Sequence, residues 1–322
     1  MPREERILVT GANGFVGTWL RRELDRRQSE VGCNFTVIAI GQGSASDRTT
    51  DITDREQVAD LIRSCRPSAI IHLAAIAAPA EARRVPQRAW NVNFQGTMNL
   101  AYATLEHAPE ARFIFVGSSE AYGASFNESA GVAVSEDLPL KPMTVYGATK
   151  AAADVLVGQL AYEGLKAIRF RPFNHTGPGQ TDAYVVGAFA KQLAEISSGV
   201  RPPRMKVGNL SAFRDFLDVR DVVRAYADSA LLEVPAAAFG KAFNLSSGQP
   251  TQVQSILDTL IDLSGLTVEV EIDPQRLRGP EVAVASGNSE AAFKTLGWKP
   301  VIELRQTLGD VLEDWKTRIN HA

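Results

Sequence analysis

A phenol and an ammonium four residues apart could carry proton chemistry in this chain. Tyr146-Gly-Ala-Thr-Lys150 places them at i and i+4, which on a helix share one face and can reach one reacting atom. The ammonium is expected to lower the phenol's pKa, making Tyr146 a usable acid or base near neutrality. Upstream, Gly117-Ser118-Ser119-Glu120-Ala121-Tyr122-Gly123 offers the Ser118 hydroxyl to hold a substrate oxygen. The matching chemistry is a proton delivered to a ketone that receives hydride. Six Tyr and nine Lys in 322 residues would give about 0.17 such spacings by chance, so the motif alone is weak. A second match, Tyr162-Glu-Gly-Leu-Lys166, has Gly164 at a helix end and Lys166 entering a strand, and reads as a surface coincidence. Tyr146 instead follows a strand that ends in serine, at the edge of an open α/β sheet where ligands bind.

A phosphate cradle precedes this set. Thr10-Gly11-Ala-Asn-Gly14-Phe-Val-Gly17 lies directly after the first strand and opens the first helix. Gly11 allows a tight turn, Gly14 lets the backbone approach a pyrophosphate, and Gly17 lets the helix pack close to the sheet. The glycines are spaced GxxGxxG, so the strand-turn-helix context carries the reading. Where an acid would meet the ribose 2′-hydroxyl of NAD, the second strand ends Ile40-Gly41-Gln42-Gly43. That absence favours NADP(H) over NAD(H), with Ser44 and Arg48 available to a 2′-phosphate; ordinary loop polarity explains both equally well.

The elements that must position these groups alternate strand and helix. Ile7 to Val9, Phe35 to Ile40, Ala69 to Leu73, Arg112 to Val116 and Ala167 to Phe170 read as buried strands. Phe15, Val16, Trp19, Leu20 and Leu24 form a helical apolar stripe, and Thr53 with Glu56 reads as a capping box for a helix through Ile62. The expected fold is α/β, a doubly wound parallel sheet of Rossmann type with a smaller C-terminal substrate-binding lobe. After Pro172 the alternation loosens, yet Ala242 to Leu245 again reads as a buried strand. The expected division is therefore discontinuous: residues 1–173 plus about 236–266 for the dinucleotide, and 174–235 plus about 267–322 for substrate.

Composition excludes several classes. Lys plus Arg 34 against Asp plus Glu 37 leaves net charge −3, with no run of like charge long enough to act as a tail, which argues against nucleic acid or a membrane surface as partner. Arginine supplies 25 of the 34 bases, an excess that composition does not explain. Two cysteines, Cys33 and Cys65, are too few for a disulfide framework and point to free thiols in the cytoplasm, and clusters of zinc-ligand spacing are missing, so no metal is expected. The charged start Met1-Pro-Arg-Glu-Glu-Arg6 does not read as a signal peptide, and Ala69 to Ala80 is too short to span a bilayer.

Taken in order, the phosphate loop, Asp51-Ile52, His72-Leu-Ala-Ala75, Asn93 before Gly96-Thr97, Ser118/Tyr146/Lys150 and Arg171-Pro172-Phe173-Asn174 resemble the extended short-chain dehydrogenase/reductase family. The resemblance implies a dinucleotide site of Gly11, Asn13, Gly14, Phe15, Val16, Asp51, Ile52, Leu73, Ala74, Ala75, Asn93, Tyr146 and Lys150. Within that family, Phe173 to Gln180, Val207 to Leu210, Arg214 to Asp221 and Leu277 to Val282 are similar to the GDP-4-keto-6-deoxy-D-mannose reductases. This implies that Asn174, Arg214, Arg278 and Glu281 hold a GDP-sugar; guanidinium suits phosphate oxygens, and carboxylate suits ribose or a guanine edge. Arg278-Gly279-Pro280-Glu281 departs from the Arg-Pro-x-Glu of those reductases. Related 4,6-dehydratases use a Thr-x-Glu acid/base pair where this chain has Ser118-Ser119-Glu120, so Glu120 keeps a dehydratase open. A dinucleotide sensor without catalysis is disfavoured by the surviving Tyr/Lys pair. The resemblance also implies a homodimer built on a helical bundle, to which Ala151 to Leu160 could contribute; core packing explains that stripe equally well.

Overall fold

The computed structural model describes residues 5–31, 34–41, 46–276 and 282–321. Its strands are β1 (Glu5–Thr10), β2 (Phe35–Ile40), β3 (Ala69–His72), β4 (Arg112–Val116), β5 (Lys166–Pro172) and β6 (Asn174–Thr176). They continue as β7 (Arg204–Val207), β8 (Phe213–Asp218), β9 (Ala242–Leu245), β10 (Pro250–Gln252), β11 (Glu269–Ile272) and β12 (Val284–Ala285). The main sheet has six strands in the order β2-β1-β3-β4-β5-β9, all parallel. Strand order reverses between β1 and β3, and the crevice beyond their C-terminal ends is where such sheets take ligands.

Helices cover both faces, which is why β3 and the middle of β4 are buried throughout. Leu20 and Leu24 of helix Phe15–Val31 pack with Val222, Val223 and Tyr226 of helix Val219–Leu231 on one face. Val58, Leu61, Leu100, Val157 and Leu160, from helices Arg55–Cys65, Gly96–His107 and Val145–Tyr162, fill the other. A third core joins helices Val185–Ser197, Val253–Ser264 and Leu304–Asn320 to Met205 and Val207 of β7. Beside it, β8 pairs with β6, β10 and β12.

Two helices pack differently from the expected boundaries. Helix Val219–Leu231, numbered with the second lobe, closes the first core, and Val253–Ser264, numbered with the sheet, belongs to the third. An amphipathic stripe shows that a helix is buried on one side without showing against what. The capping box is also corrected. Asp54, not Thr53, caps helix Arg55–Cys65, accepting from Glu56 N and Gln57 N, while Thr53 gives both its N–H and its hydroxyl to Asp51 Oδ1. Cys65 is a buried free thiol, and Cys33 lies outside the described residues. Among the described residues no helix is long and apolar enough to cross a membrane.

Candidate active site

The phosphate loop is built by close backbone approach. Gly11 has φ +70°, and a Cβ there would lie 2.7 Å from Ala74 N; one at Gly17 would lie 2.3 Å from Gly11 O. Gly14 N donates to Gly11 O at 3.0 Å, closing the turn before the helix starts at Phe15. The first helical N–H groups lack intrahelical acceptors and suit an anion. Asn13 and Gly14 are exposed, and Phe15 and Val16 half-buried.

The end of β3 closes the crevice from the other side. Leu73 N donates to Thr10 O at 3.2 Å and Ala74 N to Thr10 Oγ1 at 3.3 Å. His72 is wedged between Thr10 Oγ1 (2.7 Å) and Thr97 Oγ1 (2.9 Å). Burial, helped by the Lys150 charge, pulls its pKa down to about 3, so the ring is neutral. Leu73, Ala74 and Ala75 are half-buried and Asp51 is exposed, while Ile52 is packed under Gly96. Asn93, expected at the dinucleotide, is bonded within the protein. Its side chain is fully buried and spent on Ile76 N (2.8 Å), Ile76 O (3.2 Å) and Thr149 Oγ1 (3.0 Å). It ties the loop after β3 to the helix of Tyr146. The loop, the two glycine contacts and the open helix N-terminus fit a dinucleotide pyrophosphate. Ser44 and Gln42 lie outside the described residues, and Arg48 donates to Ser64 Oγ at 2.8 Å.

Ser118, Tyr146 and Lys150 meet beyond β4. Ser118 Oγ accepts Glu120 N at 3.1 Å and lies close enough to the Tyr146 hydroxyl to lower its pKa. Thr144 caps helix Val145–Tyr162 through Gly147 N (2.9 Å) and donates to Glu120 Oε2 (2.9 Å), so one hydroxyl aligns the helix start with the carboxylate. Lys150, 3% exposed, donates to Val116 O at 2.7 Å and lies 5.5 Å from the Phe115 ring centroid. Its burial lowers its pKa to about 8. The expected depression of the phenol is overturned. Burial first, then the Glu120 carboxylate and Tyr184, push Tyr146 up, against a smaller lowering by Ser118. At neutral pH the phenol is therefore protonated, the form that gives a proton away. Of the second match, Tyr162 is 96% exposed and Lys166 pairs with Glu110 at the surface.

Toward the third core, Asn174 is exposed on β6 and Arg214 half-buried on the neighbouring β8. Arg214 Nη1 donates to Phe213 O at 2.8 Å. Arg278 and Glu281 lie outside the described residues. Next to Arg214, the buried Asp215 accepts from Ser247 N (2.7 Å), Ser247 Oγ (2.7 Å), Gly248 N (2.9 Å) and Gly287 N (3.4 Å), fastening β8 to the turns after β9 and β12. Sequence reasoning missed Asp215, Tyr184 and Thr144. An aspartate inside a strand, where the type is disfavoured, was the available signal for the first.

Residues 8–311 match the family model described as GDP-mannose 4,6 dehydratase. The GDP-6-deoxy-D-mannose reductase of Pseudomonas aeruginosa is 32% identical over 316 residues, 98% of each chain. The UDP-glucose 4-epimerase of Corynebacterium glutamicum is 26% identical over 92% of this chain and 91% of its own. Among solved structures, RMD from Pseudomonas aeruginosa complexed with NADPH superposes with TM-score 0.84 at 31% identity, covering 98% of this chain and 99% of the other. The UDP-glucose 4-epimerase of Thermotoga maritima with UDP-glucose gives 0.82 at 25% identity, covering 98% and 99%.

Proposed function

We propose, on the premise that this chain belongs to the extended short-chain dehydrogenase/reductase family and, within it, to the GDP-mannose 4,6 dehydratase family, that it reduces the 4-keto group of GDP-4-keto-6-deoxy-D-mannose to a GDP-6-deoxyhexose, GDP-D-rhamnose. The observation that carries this reading is the Ser118, Tyr146 and Lys150 cluster at the C-terminal edge of the sheet, with Ser118 and Lys150 buried and Tyr146 half-buried, in a chain alignable end to end with a GDP-6-deoxy-D-mannose reductase.

When bound, the reduced nicotinamide supplies the hydride that C4 accepts. The chain supplies the proton and the fit. Tyr146, held protonated by burial, donates its proton to O4, and Ser118 Oγ gives that oxygen a hydrogen bond. Hydride plus proton account for the alcohol. The Lys150 ammonium, on the same helix face, offsets the negative charge left on the phenol. Gly11, Asn13, Gly14, Phe15 and Val16 would hold the pyrophosphate, with Asp51, Ile52 and Leu73 to Ala75 along the rest of the dinucleotide; Asn174 and Arg214 would meet the GDP-sugar, together with Arg278 and Glu281. NADPH is the favoured donor, supported by the lack of an acid at the end of β2 and by the NADPH carried by the Pseudomonas aeruginosa RMD structure.

Glu120 favours one second reading. Its charge reaches Tyr146, an arrangement that a GDP-mannose 4,6-dehydratase could use. Loss of NADPH absorbance with the keto-sugar tests the reductase; no consumption of either reduced dinucleotide overturns it, and keto-sugar formed from GDP-mannose supports the dehydratase. The homodimer belongs to the same proposal. Helix Val145–Tyr162 buries Ala151, Ala153, Val157 and Leu160 in the core but leaves Val155 62% exposed, and Tyr102 of helix Gly96–His107 is 43% exposed. Those outward apolar groups support a helical dimer face, which light scattering would weigh directly.

A further inference from the structure

Helix Phe15–Val31 carries the start of the phosphate site in its first turn and Trp19 one turn later. The indole is not spent on the core alone. Its Nε1 donates to Pro178 O at 2.7 Å, and its ring lies 4.9 Å from the Arg22 guanidinium and 5.8 Å from that of Arg220. Arg220 is itself fixed by Asp218 (2.7 Å) and Asp310 (2.6 Å). Phe15 touches the same loop, since a Cβ at Gly179 would stand 3.7 Å from its ring.

From Pro178 a continuous set of bonds leads to the exposed Asn174. Gln180 folds back so that its Nε2 donates to His175 O (3.0 Å) and its Oε1 accepts from Thr176 Oγ1 (2.7 Å). These residues form β6, whose first member is Asn174. On the far side, Asp314 Oδ2 accepts Gly179 N at 2.9 Å. Gly179 itself has φ +95°, so the loop has the freedom of glycine on both sides of Pro178 and must be held from outside.

We propose that Trp19 is a positioning residue for substrate: it docks the loop Gly177-Pro178-Gly179-Gln180, and with it the strand bearing Asn174, onto the helix whose N-terminus receives the dinucleotide. The inference rests on the GDP-sugar reading for what Asn174 meets, but the docking rests on Trp19 and Pro178. A dinucleotide that restrains the first helical turn also restrains the indole one turn on. The strand is then ordered before the sugar nucleotide arrives, and that ordering cost no longer falls on substrate binding. One neutral hydrogen bond of this kind corresponds to about a two- to tenfold change in an equilibrium.

The test is hydrogen exchange over residues 174–184, with and without saturating NADPH, in the wild type and in Trp19→Phe, which keeps a ring and removes the donor. In the wild type NADPH should slow exchange there. In Trp19→Phe the slowing should fall by half or more while the NADPH Kd stays within about twofold and the KM for the keto-sugar rises about three- to tenfold, with kcat changing less. Equal slowing in both proteins overturns the proposal, as does a kcat that falls while KM holds. Trp19→Leu, with neither donor nor ring, should repeat the loss; retained slowing in it counts equally against the idea. A wild type that consumes no NADPH with the keto-sugar defeats the substrate reading and leaves the exchange comparison to decide the role of Trp19.

Discussion

Lys150 allows a sharp test of the proton chemistry. Burial brings its ammonium from 10.5 down to about 8, while burial and the Glu120 charge lift Tyr146 away from the neutral range. The donor thus stays protonated throughout, and the group that changes charge is the lysine. Because the lysine is charged below its pKa, kcat/KM for reduction should be level on its acid side and fall as pH rises through about 8. About nine-tenths of Lys150 is charged at pH 7 and about one-tenth at pH 9, which predicts a roughly tenfold fall, or about 1.4 kcal/mol of transition-state stabilisation. Initial rates of NADPH loss from pH 6 to 10, with keto-sugar well below KM, measure this. Lys150→Arg supplies the control, since guanidinium stays charged over that range: its plateau should be lower and its alkaline limb gone. A wild-type profile level to pH 10, or a limb near pH 8 that survives in Lys150→Arg, refutes the assignment.

Tyr146→Phe should lose about 10²- to 10⁴-fold in turnover while its dinucleotide Kd, read by fluorescence titration, stays within about twofold; a sensor protein would lose nothing. Gly17→Ala puts a Cβ 2.3 Å from Gly11 O and 2.7 Å from Ala12 backbone, so the loop must shift, and the same titration should show dinucleotide affinity down about tenfold or more. His72 is neutral when folded, its pKa lowered to about 3 from 6.5, so the unfolded chain takes up the proton first and its stabilising share, complete above pH 6.5, is lost as pH falls toward 3. Between pH 7.5 and 5.5 the wild type should lose about 1.4 kcal/mol more in urea unfolding than His72→Gln; equal losses would remove His72 as the cause.

Much of the framework could be read from residue patterns because the signals were local. Phe35–Ile40, Arg112–Val116 and Ala242–Leu245 form strands over the expected residues, since short β-branched and aromatic runs bounded by turns have few other ways to be buried. The phosphate loop followed from glycines between a strand and a helix. What escaped depended on distance or environment. Thr53 and Asp54 are adjacent residues that both suit a cap, and only backbone angles decide between them. The i, i+4 spacing placed Tyr146 and Lys150 on one face but could not say that burial would outweigh the ammonium, which turns to Val116 O. Motif order put Asn93 near the dinucleotide but carried no sign of its side-chain bonds to Ile76 and Thr149, 17 and 56 residues away. Asp215 draws donors from 32 and 72 residues away, beyond any window in which periodicity carries information.

The charges beneath the site explain why its geometry can hold. Asp154, 1% exposed, follows Lys150 by four residues on the same helix. Its carboxylate receives Arg171 Nε at 3.0 Å and Nη2 at 2.9 Å, with Arg169 Nη1 at 2.5 Å. Arg171 also donates to Tyr122 OH at 3.0 Å and Glu136 O at 2.9 Å. Such a buried set adds little net stability, because desolvating the ions offsets most of their attraction. Its effect is on register. Ala153, Val157 and Leu160 bury the helix against the sheet through contacts that tolerate small sliding and rotation, whereas a two-pronged guanidinium on a carboxylate accepts one alignment. Asp154 therefore sets where the helix lies along β5, and Tyr122 ties the turn bearing Ser118 and Glu120 to the same guanidinium. Tyr146 and Ser118 come together from separate elements, and both elements are referenced to Arg171.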